Sequence, residues 1–211
     1  MIKRIGVVGA IIGLVAVSGM NFGVHAADLE ADSRRFIQKV ADQAIESLTS
    51  NDASKSERVS RFRTLFKESF AVKSIGKFVL GRYWRGASED EKTEYLALFE
   101  DLMVISYVDR FSNYAGEALS LKDARKENET NVTVFSEIKR PGGANPIRVN
   151  WRVGTNGTIY KILDVVVEGT SMSTTLRSDF SSIVRQKNGK VAGLIEELKK
   201  KTASLEAETQ N

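Results

Sequence analysis

Ile147-Arg148-Val149-Asn150-Trp151-Arg152-Val153 alternates apolar and polar residues. Successive side chains of a strand point to opposite faces, so the stretch predicts a half-buried antiparallel strand. Ile147, Val149, Trp151 and Val153 form its inner face, and Arg148, Asn150 and Arg152 its charged outer face. Asn156-Gly157 follows, with the residues a type I′ hairpin turn favours, and Ile159 to Glu168 predicts the return strand. Upstream, Val132, Val134, Ser136 and Ile138 share one face of another strand, broken by Pro141-Gly142-Gly143. Glu127-Asn128-Glu129 is a polar turn before it, and Leu119 and Leu121 alternate with polar neighbours ahead of that turn. Four strands in succession predict an antiparallel meander.

On both sides of the sheet the apolar period changes from 2 to 3.6. Asp28 to Ser50 predicts a helix with Phe36, Ile37, Val40, Ala44 and Leu48 on one stripe. Ser54-Lys55-Ser56-Glu57 is a capping box that opens a second helix bearing Val59, Phe62, Leu65, Phe66 and Phe70. Val72 to Leu80 is a short apolar segment ending at Gly81, a C-cap residue. A second capping box, Ser88-Glu89-Asp90-Glu91, opens a long helix reaching about Asn113. After Gly169, Leu176, Phe180, Ile183 and Val184 are again spaced as a helix, which Asn188-Gly189 breaks. Val191, Leu194, Ile195 and Leu198 define the last helix, and Lys199 to Lys201 suit the negative end of its dipole. Residues 202–211 read as a polar tail. The expected fold class is α+β: one domain over residues 27–201, with several helices packed on one face of a four-stranded antiparallel meander.

The N-terminus has the three parts of a secretory signal peptide. Met1 to Arg4 is basic, Ile5 to Met20 is apolar, and Val24 and Ala26 are placed for signal peptidase. The apolar run is shorter than the roughly 20 residues of a spanning helix, which favours cleavage after Ala26 over an anchor. Removing Lys3 and Arg4, with no acid, lowers the net charge from +4 to +2. So small an excess, in an exported chain, argues against a nucleic-acid partner. The chain has no cysteine, and its single histidine, His25, lies within the signal. Without His or Cys, Ser-His-Asp and Cys-His nucleophiles are excluded, as are the usual zinc, copper and haem ligand sets. No catalytic residue, cofactor or metal is therefore expected. Asp164 with Glu168 is the nearest approach to a carboxylate pair.

Three segments stand out beyond the fold. In the helix from Ser88, apolar residues from Tyr95 to Phe111 cover most of the circumference. Such a helix is either buried or lines something apolar. Gly81-Arg82-Tyr83-Trp84-Arg85 sets two aromatics between two arginines, as a pocket mouth or as a loop with solvated arginines. Arg177 has apolar neighbours and is expected to pair with a buried carboxylate such as Asp164 or Glu168, with a headgroup contact as the alternative.

Gly81 to Arg85, Asp164-Val165-Val166-Val167-Glu168-Gly169-Thr170-Ser171, and Arg177-Ser178-Asp179-Phe180 together resemble the MlaC family. These are periplasmic phospholipid-binding proteins, also called the toluene-tolerance family, and the likeness runs from about residue 30 to 200. Leu176, Thr170 and Tyr160 depart from the family's usual aromatic, aliphatic and Trp at those places. The resemblance implies a fold around a deep apolar cavity for acyl chains. It implies a periplasmic carrier shuttling phospholipid between an inner-membrane ABC transporter complex and an outer-membrane lipoprotein complex. A branch of the family is associated with hopanoid biosynthesis, so a hopanoid-linked carrier is one alternative; a non-enzymatic adaptor is another. For a carrier, the expected lipid-binding wall is Phe99, Leu102, Met103 and Phe111 from the long helix. The sheet would add Val134, Val149, Trp151, Val165 and Val167. Tyr83, Trp84, Arg85 and Arg177 are expected at the pocket mouth or in structural roles.

Overall fold

The computed structural model describes residues 25–49, 53–111 and 116–210. The expected signal peptide falls almost entirely outside them. Four helices come first: α1 (His25–Thr49), α2 (Lys55–Ser69), α3 (Val72–Leu80) and, after a 3-10 turn at Gly81–Arg85, α4 (Glu89–Phe111). Five strands follow: β1 (Ala118–Asn128), β2 (Asn131–Lys139), β3 (Ile147–Thr155), β4 (Tyr160–Val167) and β5 (Thr170–Ser171). Then come α5 (Met172–Gln186) and α6 (Val191–Gln210). This is the expected α+β architecture.

Both capping boxes form. Ser54 N donates to Glu57 Oε2 (2.7 Å) while Glu57 N donates to Ser54 Oγ (3.2 Å). Ser88 and Glu91 repeat the exchange at 2.9 and 3.1 Å. Each satisfies two backbone donors that a helix start leaves open.

The sheet is an antiparallel meander in the order β1-β2-β3-β4-β5. It therefore has five strands where four were expected. The short fifth pairs Ser171 with Val166 and Thr170 with Val167. Its turn is Glu168-Gly169, with φ of 49° and 82°, the positive values a type I′ turn needs at both positions. The type I′ turn expected at Asn156-Gly157 is not made. There Thr155 pairs with Tyr160 across four loop residues. Asn156 Oδ1 accepts from Thr158 N (3.1 Å) and Ile159 N (2.9 Å), so the side chain closes the loop in place of a tight turn. Leu163 is an extra residue in β4, where the register against β3 slips by one between Arg152 and Val153.

Helix α1 lies across β1 and β2. Its Ile37 and Val40 are buried with Val132, Val134, Val153 and Ile162 of the sheet. Glu30 Oε1 fixes the crossing by accepting from Lys126 N (2.7 Å). The end of α2 meets β4, where Ala71 N donates to Ile162 O (3.0 Å). Helix α4 sits between two apolar clusters. Tyr95, Phe99 and Leu102 pack with Val79 and Leu80 of α3, Phe180 of α5 and Leu194 of α6. Val104 and Val108 pack with Leu48 of α1 and Phe62, Leu65 and Phe66 of α2. That two-sided burial explains why it is apolar nearly all round.

Helix α6 does not stop at Lys201, where a polar tail was expected. It continues to Gln210, with Thr202 buried and Leu205 against the helical cluster. Thr202 and Leu205 extend the stripe of Leu194 and Leu198, and the Thr202 hydroxyl bonds back to Leu198 O (3.0 Å).

The Tyr95 hydroxyl is buried and donates to Gly76 O (2.9 Å), joining α4 to α3. Burial pushes its ionisation far above the ordinary tyrosine range, so it remains a donor at any working pH. Tyr95→Phe leaves Gly76 O without that donor and is expected to lower stability by about 1–3 kcal/mol. Urea unfolding should show this as a lower midpoint with an unchanged slope.

Candidate functional site

The inner face of β2, β3 and β4 carries a polar pin in an apolar surface. Ser136 Oγ donates to Val149 O (2.6 Å) and accepts from Trp151 Nε1 (2.9 Å). The pin gives the indole N–H a partner and holds the ring on this face. The register places Val134, Trp151 and Val165 in one row, and Ser136, Val149 and Val167 in the next. Val134 and Val149 are buried, whereas Trp151, Val165 and Val167 are only half-buried. The five wall residues expected from the sheet thus share one face.

Those expected from the long helix are placed differently. Phe99 and Leu102 are buried in the cluster of α3, α4, α5 and α6, and Phe99 makes an edge contact with Phe180 at 6.4 Å. Met103 lies against both helical clusters. The side chain of Phe111 lies outside the described residues. The periodicity of α4 could not reveal this, because apolar residues cover most of its circumference.

A second feature opens on the helical side: a cleft of about 820 Å³. Ser74, Lys77 and Phe78 of α3 line it, with Gly81, Arg82, Trp84 and Arg85 of the 3-10 turn. Lys92 of α4 and Arg177 of α5 complete it. Arg177 is half-buried, and its guanidinium stacks 4.8 Å above the Phe78 ring. Gly81 has φ +60°, and a Cβ there would come within 3.1 Å of that guanidinium. The glycine thus serves both the backbone turn and the close approach of Arg177. Lys92 Nζ lies 5.6 Å from the Trp84 ring centre and pairs with Glu89 at 2.8 Å. Arg82 stacks on Tyr83 and donates to its hydroxyl (2.8 Å), while Tyr83 packs against the helical cluster. Tyr83 is therefore a support behind the cleft; Trp84, Arg85 and Arg177 are in it.

The comparison with known sequences settles the lineage. The model of the family described as MlaC protein matches residues 38–200. The chain belongs to the MlaC family. It is 22% identical over 143 residues to the intermembrane phospholipid transport system binding protein MlaC of Haemophilus influenzae, covering 64% of this chain and 67% of that protein. Its fold is shared with a solved phospholipid-binding protein from Ralstonia solanacearum in complex with a phospholipid. The TM-score is 0.69 at 20% identity, over 81% of this chain and 97% of that one.

The expected pairing of Arg177 with Asp164 or Glu168 does not occur. Asp164 is buried and accepts from Val165 N (3.0 Å), Ser171 Oγ (2.6 Å), and Ser173 N (3.0 Å) and Oγ (2.7 Å). Its nearest cation is Arg152, at 3.7 Å. Glu168 binds the Arg148 backbone N–H and guanidinium, which hold its carboxyl below the usual range. Each carboxylate thus has its own partners, and the two do not act as a pair. Sequence reasoning missed Lys77, Phe78 and Lys92 in the cleft. A signal was present: Ser74, Lys77, Phe78 and Gly81 have the spacing of one helical stripe.

Gly81→Ala should destabilise the protein by about 1–2 kcal/mol through its positive φ, with a further cost from displacing Arg177. In an Arg177→Ala background only the backbone cost should remain. A double-mutant cycle by chemical denaturation checks this, and strict additivity would refute the contact.

Proposed function

We propose that this MlaC-family chain is a periplasmic lipid carrier. It holds phospholipid acyl chains against the inner face of the sheet and shuttles them between an inner-membrane ABC transporter complex and an outer-membrane lipoprotein complex. The observation that carries this reading is the row Val134, Trp151 and Val165 with its neighbours Val149 and Val167. It is an apolar, partly open sheet face whose indole ring, Trp151, is held in place by Ser136. Family membership and the fold shared with a phospholipid-bound protein support the same reading.

The physical requirement is severe. Exposing a methylene to water costs about 0.8 kcal/mol, so two chains of roughly 15 methylenes cost on the order of 20 kcal/mol or more. A carrier must replace the bilayer interior with aliphatic and aromatic surface. It needs no catalytic group for this. In this reading Trp151, Val165 and Val167 contact the acyl chains most directly. Phe99, Leu102 and Met103 of α4 hold the helical core instead.

Native mass spectrometry of the mature protein from the periplasm, with organic extraction, tests the reading. A diacyl phospholipid near one per protein is expected. A hopanoid would transfer the chain to the hopanoid-linked alternative. An empty protein that takes up no lipid from vesicles would remove the carrier reading and favour an adaptor. Val165→Trp should fill the face and lower lipid content several-fold in a folded protein. Unchanged content would show that this row is not the wall.

A further inference from the structure

We propose that the cleft between α3, the Gly81–Arg85 turn and α5 is a binding site for a phosphate ester, separate from the apolar sheet face. The proposal goes beyond the carrier reading, because no residue lining the cleft belongs to the sheet.

Five cations line the cleft, namely Lys77, Arg82, Arg85, Lys92 and Arg177, and no acid does. They come from four separate elements of a chain whose net charge is only +4. Like charges gathered in one concavity repel, and the cost falls when an anion occupies it. Among the described residues, ion pairing offsets little of this. Lys92 alone has a carboxylate within 4 Å, that of the solvent-exposed Glu89. Arg177 is the anchor. The residue is half-buried, its guanidinium lies between Gly81 and the Phe78 ring, and among the described residues no carboxylate comes within 4 Å of it. A planar, pre-placed guanidinium suits two oxygens of a phosphate better than a single-point anion.

The aromatic residues narrow the class. Phe78 is 43% exposed and Trp84 also lines the cleft, so apolar surface adjoins the cations. A phosphate carrying a glycerol or short organic substituent uses both, whereas inorganic phosphate uses only the charges. The shared chemistry is the phosphate anion; its source is a lipid headgroup or a soluble phosphate.

The test titrates the mature full-length chain with three probes at constant ionic strength. These are inorganic phosphate, glycerophosphoglycerol, and dihexanoyl phosphatidylglycerol below its micelle concentration. Calorimetry reads binding, and tryptophan emission of wild type against Trp84→Phe places it in the cleft. Saturable binding is expected, weakened at least tenfold in Arg85→Gln/Arg177→Gln and weakened by added salt. Preference for the lipid would identify a headgroup source and equal binding of glycerophosphoglycerol a soluble ester, whereas inorganic phosphate binding as tightly as the esters would overturn the ester class. No saturable binding of any probe at millimolar concentration, or equal binding by the double variant, overturns the proposal. Arg85→Gln alone changes an exposed side chain and keeps the test informative if the double variant does not fold. Lipid content of the same samples separates the two readings. An empty protein that still binds glycerophosphoglycerol through Arg85 and Arg177 keeps this site and loses the carrier function.

Discussion

The carboxylate of Asp164 sits where the sheet gives way to the last two helices, and it is saturated there. It accepts two hydrogen bonds from Ser173, one from Ser171 and one from the next backbone N–H of β4. Ser171 in turn caps α5 by accepting from Thr174 N. One buried anion thus sets the start of α5 against β4. What α5 carries follows from that setting. Phe180 reaches Tyr95 and Phe99 of α4, and Arg177 reaches Gly81 at the end of α3. Both the helical core and the basic cleft depend on where this helix begins.

Helix α4 divides the molecule's apolar interior. One side closes the cluster shared with α3, α5 and α6, and the other closes the cluster shared with α1 and α2. The sheet has a third cluster, built mainly with α1. This separates the work of the two halves. The helices bury their rings against each other and stay well packed. The sheet keeps half-buried apolar side chains at Trp151, Val165 and Val167, which a rigid core would have covered. The carrier function proposed above would call for such a division between a permanent core and a surface with exchangeable cover.

Much of this was legible in the sequence, for local reasons. The strand faces followed from alternation at Val149, Trp151 and Val153, and the helix starts from Ser54-Glu57 and Ser88-Glu91, since each signal involves residues a few positions apart. The failures involved choices that local pattern does not settle. Asn156-Gly157 has ideal turn residues, yet its side-chain amide closes a longer loop, while Glu168-Gly169 makes the tight turn because β5 must reverse onto β4. The lysine run at 199–201 masked the continuing stripe at Thr202 and Leu205. Arg177 has carboxylates nearby in the sequence, but Asp164 was already saturated by Ser171 and Ser173. Which side of α4 faces which cluster was unreadable in a helix apolar all round. The cleft required four elements to meet, although its α3 stripe was visible.

The order of the strands has a consequence for how the molecule assembles. Every strand pairs only with its neighbour in the chain, so the sheet grows by successive short loop closures. The N-terminal half of α1 is different: it is tied by Glu30 to Lys126 and by Asp32 to Tyr160, 96 and 128 positions apart. The C-terminal end of the helix packs locally on α2, through Leu48 in the cluster with Phe62, Leu65 and Phe66, whereas the N-terminal half has its partners only once the meander exists. That half is the part that joins the sheet late, and its partners are the same inner rows that carry Val134 and Trp151. The segment last to settle on the sheet is thus the one whose departure would uncover it.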